Sequence, residues 1–316
     1  MRNYIIRRLL FVIPTIFIAT LIIFFLIRLI PGDIIDLMVA EQGPVSDMDR
    51  ESIERALGLD VPIHIQYAQW VANLFRGNLG SSLWTETAIT KDIIERLPVT
   101  FELGLISLVI ALIIALPVGI YSAIRQDTWG DYVGRSFAIL SLAVPNFWIG
   151  TMIIVFPAIW WGWSPPITII PFSEDPLGNL GMFIIPAVIM GTSLSAVTMR
   201  MTRTMVLEVL RQDYIRTAWA KGLKERIVVM RHALKNALIP VVTIVGLQVP
   251  ILIGGAVIME QIFSLPGIGR LMLDAISQRD YPVVSGVMLF MAVFILVINI
   301  VVDLTYAYLD PRIHYR

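Results

Sequence analysis

Six stretches of this chain are long and apolar enough to cross a hydrocarbon core, and that requirement limits the folds open to it. They are residues 9–27, 103–124, 136–173, 176–199, 236–259 and 281–302. A crossing takes roughly 20 apolar residues, and 136–173 holds enough for one crossing plus an apolar outer loop without a single charge. Inside lipid the backbone must satisfy its own hydrogen bonds, so each crossing is a helix. The expected fold is an all-α integral membrane protein with six transmembrane helices. Composition agrees, with 57% of the 316 residues hydrophobic and 15% charged, a membrane balance rather than a soluble one.

Lysine and arginine placement sets the orientation. With the N-terminus inside, sixteen of the 24 Lys and Arg residues face the cytoplasm and seven face outward, with Arg28 in the outer end of the first span. Both termini are therefore expected in the cytoplasm. The first apolar run is too long for a signal peptide and no small-x-small cleavage site follows it closely, so it reads as a retained helix. The expected division is 1–30 for the N-terminal end and first helix, 31–97 for an extracytoplasmic cap, 98–312 for a five-helix core, and 313–316 for a cytoplasmic tail. The cap carries eleven acids against five bases. It also holds soluble-type helical patterns at 47–57 and 62–75. Its acids, Glu41, Asp47, Asp49, Glu51 and Glu54 among them, suit either steering of a basic partner or a lid over the outer mouth.

Much chemistry is excluded. The chain has no cysteine, hence no disulfide, thiolate metal site or cysteine nucleophile. It has no Gly-Lys dipeptide and therefore no P-loop. The three histidines, His64, His232 and His314, are dispersed and make neither a metal cluster nor a readable Ser-His pair. No catalytic constellation and no cofactor site is expected, and zero net charge points to no nucleic acid. Ionisable residues are nearly missing from the spans. Arg28, Glu102, Glu260 and Asp303 lie near span ends, where snorkelling is inexpensive. That scarcity argues against proton or sodium coupling and favours transport driven by a separate ATPase.

One cytoplasmic segment is ordered beyond what a connection needs. Residues 200–235 carry nine Lys/Arg against three acids. Apolar residues recur at helical spacing on both sides of Gly222: Val206, Leu210, Tyr214 and Thr217 before it, then Leu223, Ile227, Met230, Leu234 and Leu238. The pattern predicts two amphipathic helices separated by a glycine with positive φ as a helix C-terminal cap. A basic inner loop is by default a topology signal; this one also has the form of a docking surface.

The run Asp213-Tyr214-Ile215-Arg216-Thr217-Ala218-Trp219-Ala220-Lys221-Gly222-Leu223, followed by Arg231-His232-Ala233-Leu234-Lys235-Asn236-Ala237-Leu238-Ile239-Pro240, resembles the cytoplasmic coupling loop of ABC-importer permeases. More narrowly, it is similar to the version in the dipeptide/oligopeptide permease family. The general pattern is E-A-A-x-x-x-G, nine residues, then I-x-L-P. Arg216, Thr217 and Ala218 stand where E-A-A would be, Gly222 keeps its place, His232 replaces the Ile, Leu234 holds the Leu, and Lys235 replaces the Pro. Other segments resemble the same family in order along the chain. They include Arg28-Leu29-Ile30-Pro31-Gly32-Asp33, Leu57-Gly58-Leu59-Asp60, Gly77-Asn78-Leu79-Gly80, Val144-Pro145-Asn146-Phe147-Trp148, Pro266-Gly267-Ile268-Gly269-Arg270 and Leu309-Asp310-Pro311-Arg312.

The resemblance implies a type I ABC importer permease fold with an extracytoplasmic segment between helices 1 and 2. It implies a second homologous permease subunit, ATPase subunits, an extracytoplasmic solute-binding protein, and residence in the lipid bilayer of the plasma (inner) membrane. It implies an ATPase-coupling loop at 204–237 that includes Asp213, Arg216, Thr217, Ala218, Lys221, Gly222, Leu223, His232, Leu234, Asn236 and Pro240. Candidates for the outer mouth or pathway are Gln248, Gly254, Gly255, Glu260, Gly267 and Arg270. Glu260 and Arg270 read most simply as solvated rim charges, and Gly254 and Gly255 as either close helix packing or a pathway lining. Hydrolysis belongs to the ATPase partners, so this chain is not expected to be an enzyme. The cargo implied is di- or oligopeptides; glutathione, nickel chelates and oligosaccharides fit the same architecture. A stand-alone channel or signalling protein would leave the docking loop without a purpose.

Overall fold

The computed structural model describes residues 2–29, 60–166 and 169–309. The expected helix at 47–57, the acids of the cap from Asp33 to Glu54, and the segments 30–33, 57–59 and 310–316 lie outside them. The described residues are helical with one isolated bridge, Ser81 to Ala88, and no sheet. The helices are α1 (Arg2–Arg28), α2 (Ile63–Phe75), α3 (Ile89–Ile124), α4 (Trp129–Ala143), α5 (Asn146–Trp161), α6 (Pro176–Leu210), α7 (Asp213–Ala220), α8 (Glu225–Ile262), α9 (Ile268–Ser277) and α10 (Tyr281–Leu309).

Four of them, α3, α6, α8 and α10, are long and apolar enough to cross a membrane. The pair α4 and α5 makes a fifth crossing if counted as one, but it is bent by 86°. The uncharged run 136–173, expected to hold one crossing plus an apolar outer loop, contains this bend. Val144 precedes Pro145, a position whose α region is sterically disfavoured; it adopts φ −93°, ψ 122°, and the helix stops there. In α1 the apolar part is Leu10–Leu26, shorter than in the others.

Both α3 and α6 outrun the spans expected from hydropathy. At 36 and 35 residues, they are each about 50 Å long, well beyond a hydrocarbon core of ~30 Å. The extra length is charged: Lys91, Asp92, Glu95 and Arg96 open α3, and Arg200, Arg203 and Glu208 close α6. Hydropathy marks where lipid ends, whereas backbone hydrogen bonding carries the helix on into water. The start of α6 is fixed by Asp175, whose carboxylate accepts from the Leu177 and Gly178 amides, with Pro176 at the first helical position.

The chain divides into two compact units. One comprises the described residues of 98–270 and those from 297 onward, and the other comprises the described residues of 2–97 and 271–296. The core of the first joins Leu103 on α3, Met182, Phe183, Ala187 and Met190 on α6, and Leu252, Ala256 and Met259 on α8. Small residues let α3 and α6 touch: a Cβ at Gly191 would stand 2.7 Å from the Ser107 carbonyl, and one at Gly119 would stand 2.8 Å from that of Met199. In the second unit the buried Asp280 carboxylate accepts from the Ser82 hydroxyl and the Leu83 amide, pinning the turn that leads into α3.

Candidate functional site

Helix α7 has only eight residues, too few to be stable alone in water. Tertiary packing holds it. Ile215 and Ala218 are buried against Val228 and Ala233 of α8, with Val209, Leu210 and Leu223 closing the cluster. Burying one such side chain fully contributes roughly 1.5–3 kcal/mol. On the other side Asp213, Arg216, Thr217, Trp219 and Lys221 are exposed. The helix is closed by Gly222 at φ +76°, its amide bonded to the Trp219 carbonyl at 2.9 Å. The glycine expected to cap α7 does so, and a Cβ there would meet nothing within 4 Å, so the requirement is purely backbone conformation.

The faces differ from those read off the sequence. Tyr214 and Thr217, expected inside with Val206 and Leu210, are exposed, while Ile215 takes the buried position. The chain breaks at Arg211 and Gln212 between α6 and α7, which resets the helical phase. Beyond Gly222 there is no separate second helix. Glu225–Ile227 runs through a π-helical segment, Val228–Ala233, straight into the long apolar helix. The wider π turn shifts the phase again, so Ile227 and Met230 are exposed and Val228, Val229, Ala233 and Leu234 are buried.

The residues expected to form a coupling loop therefore divide by position. Asp213, Arg216, Thr217, Lys221 and Gly222 lie on the open surface; Ala218 and Leu234 are packed inside. Leu223, His232 and Pro240 are half-buried, and Asn236 donates to the Tyr214 hydroxyl at 2.9 Å, tying α7 to the base of α8. Tyr214 and Trp219 were not among the candidates. Two half-exposed aromatics on so short a helix were the available signal.

The same end of the molecule holds a clasp that sequence reasoning missed. Asp131 on α4 is fully buried and accepts a bidentate pair from Arg203 on α6, at 2.8 Å for each bond, plus the Asp127 amide at 3.1 Å. Removing one partner of such a pair costs about 3–5 kcal/mol, because the other charge is left buried. Arg203 carries the α6 segment that leads into α7; Asp131 opens the bent α4–α5 pair. A weaker, half-exposed pair, Arg125 with Glu225 at 3.7 Å, links the turn after α3 to the start of α8, and such pairs contribute little. Asp131 shares its short inner connection with Arg125, Asp127 and Arg135, and nothing in that spacing points to Arg203, 72 residues away.

Toward the other end, Glu260 is not the solvated rim charge expected. It is 0% exposed, accepting from the Thr100 hydroxyl at 2.6 Å and the Arg270 amide at 2.9 Å, while Thr100 also accepts from the Ile268 amide. The Pro266-Gly267-Ile268-Gly269 stretch wraps this carboxylate. A Cβ at Gly267 would fall 2.2 Å from the carboxyl carbon of Glu260, so the glycine is dictated by close approach. Arg270 caps the wrap by donating to the Ser264 carbonyl at 2.9 Å. Gln248 is buried between α8 and α6 and accepts from Thr198 at 3.1 Å. A Cβ on Gly255 would make ordinary contact with Met190, whereas one on Gly254 would meet nothing within 4 Å. Among the described residues no group of His, Cys, Asp or Glu is arranged to hold a metal ion.

A bundle of long apolar helices, one span broken, with a short surface helix between two of them, is the fold of a type I ABC importer permease. The chain belongs to the family of binding-protein-dependent transport system inner membrane components. That family matches residues 115–315, and its N-terminal component matches residues 1–104. The chain is 41% identical over 336 residues to the di/tripeptide transport system permease protein DppB of Pseudomonas aeruginosa (strain UCBPP-PA14), with both chains fully covered. It is 40% identical over 318 residues to the oligopeptide transport system permease protein AppB of Bacillus subtilis (strain 168), again with full coverage. Among solved structures, the MetNI methionine ABC transporter in an inward-facing conformation aligns with a TM-score of 0.55 at 16% identity, over 69% of this chain and 96% of that one. An amino acid ABC transporter aligns at 0.52 and 12%, over 71% and 95%. These two likenesses are of fold alone. The protein is a multi-pass inner-membrane permease component of an ABC importer, a class that works with a partner permease, an ATPase and a binding protein, and it is not itself an enzyme.

Proposed function

We propose that this chain forms, with a second homologous permease, the alternating-access pathway of an ATP-driven importer of di- and oligopeptides. The observation that carries the reading is α7. Its charged and aromatic side is exposed while its apolar side is rooted in the long helices, as a surface for an ATPase subunit requires. In this reading ATP closes the ATPase pair, the α7 helices of the two permeases are drawn together, and the core rocks from inward- to outward-facing. Asp213, Arg216, Thr217, Lys221 and Gly222 form the contact surface; Ala218, Leu223, His232, Leu234, Asn236 and Pro240 shape it from beneath. The clasp between Asp131 and Arg203 makes the broken span follow α6. Glu260, Gly267 and Arg270 set the form of the outer mouth, and Gly254 is open to the partner permease or the pathway. Both termini lie in the cytoplasm, and residues 31–97 belong to the outer side, where they supply a surface for the binding protein or a lid over the outer mouth. The peptide cargo rests on the printed names of the full-length relatives.

The test replaces Arg216 and Lys221 by Glu. Both are exposed, so stability should change by less than ~0.5 kcal/mol, while the ATPase subunits should bind at least about tenfold more weakly. Normal ATPase attachment in that variant would refute the docking surface. Calorimetry of the cognate binding protein against dipeptides, glutathione, a nickel chelate and an oligosaccharide settles the cargo separately.

A further inference from the structure

Helix α2 carries no charge from Ile63 to Phe75. Its half-buried residues Gln66, Tyr67, Trp70, Val71 and Leu74 make one stripe at helical spacing, and this side is fastened to α1. Tyr67 and Trp70 pack on the Phe24 ring with centroids 5.2 and 5.8 Å away. The Tyr67 hydroxyl bonds that of Thr20 at 2.9 Å, and Gln66 accepts from Arg28. Phe24 and Thr20 lie inside the apolar run Leu10–Leu26. At 1.5 Å per residue Thr20 stands roughly 12 Å below Arg28, inside a core of ~30 Å. Arg28 is exposed, and its guanidinium folds back over the Phe24 ring, 3.5 Å from the centroid, and donates to the Phe24 carbonyl.

On the far side of α2, Ile65, Ala68, Ala72 and Phe75 are exposed at spacings of three, four and three residues, with Phe75 89% exposed. This is a second stripe, apolar except for His64, which is exposed at its N-terminal end four residues before Ala68. Between the stripes Gln69 and Asn73, four residues apart, form one narrow polar line. A surface helix in water shows its polar face outward; α2 shows an apolar one, at a depth set by its bonds to α1.

We propose that α2 lies in the outer leaflet of the bilayer rather than in the aqueous cap. Ile65, Ala68, Ala72 and Phe75 face acyl chains, and Gln69 and Asn73 face the headgroups. The occupant of the outer stripe is lipid because the anchoring residues on α1 sit at hydrocarbon depth, where a water-soluble partner does not reach. The proposal rests on α1 being the first membrane span, part of the functional reading above.

The natural chain has no cysteine, which permits single nitroxide labels on the complete transporter in phosphatidylcholine/phosphatidylglycerol vesicles. Ala68→Cys and Ala72→Cys probe the stripe, Asp60→Cys is the water reference, and Ile22→Cys, exposed on α1, is the lipid reference. Oxygen concentrates in acyl chains and a nickel chelate stays in water. The expected oxygen-to-nickel collision ratio at 68 and 72 is at least about fivefold that at 60 and close to that at 22, as for a lipid-seated helix. Ratios at 68 and 72 equal to that at 60 would put α2 in water and overturn the proposal. Suppression of both collision rates would show a protein cover, from this chain or a partner, and overturn it equally. A watery ratio at 22 would remove the span assignment of α1, and the proposal with it, which separates that failure from the other two.

Discussion

Three carboxylates are buried among the described residues, Asp131, Glu260 and Asp280, and none is left as an isolated charge at membrane depth, where it would be costly. Each gathers donors at a helix end or turn: Arg203 and the Asp127 amide for Asp131, Thr100 and the Arg270 amide for Glu260, and Ser82 and the Leu83 amide for Asp280. The glycine beside Glu260 shows how tight this fit is. Gly267→Ala forces a carbon into the carboxyl group, whereas Gly254→Ala places one in open space. Thermal unfolding of the purified transporter should show Gly267→Ala destabilised by about 1–3 kcal/mol, as overpacking is, and Gly254→Ala nearly unchanged. Equal stability of the two variants would mean that the clasp around Glu260 yields freely.

Among the elements, the coupling hairpin depends on two departures from a regular helix, the break before α7 and the π segment after it. Between them Gly222 turns the chain at φ +76°. A β-carbon in that conformation costs about 1–2 kcal/mol, and a β-branched one more. Gly222→Val should insert and pair normally but lose ATPase attachment or transport, while Gly222→Asn, better tolerated in left-handed caps, should retain most of both. Co-purification of the ATPase subunits checks this; full stimulated transport by Gly222→Val would refute it. The glycine was legible because positive φ is a property of one residue. The buried face was not, since a break and a π turn each shift a periodicity count by a fraction of a turn.

At the scale of the whole molecule, charge placement predicts the orientation. The excess of Lys and Arg on one side predicts that Ser173→Cys reacts with an impermeant thiol reagent added outside intact cells and that Gln212→Cys does not. Both positions are exposed, so burial would not mask the result; labelling of Gln212→Cys from outside would invert the topology and remove the docking surface from the ATPase side. By itself the sequence determined the helical class, the apolar segments, the capping glycine and the position of the basic hairpin. These follow from local rules: lipid demands internal hydrogen bonds, and a turn demands a residue able to make it. Tertiary structure alone decided that Asp131 meets Arg203 72 residues away, that Glu260 is enclosed, and that α2 leans on the Thr20 and Phe24 level of α1. Each of these is a pairing between distant elements, and no pattern along one element specifies which other element it meets.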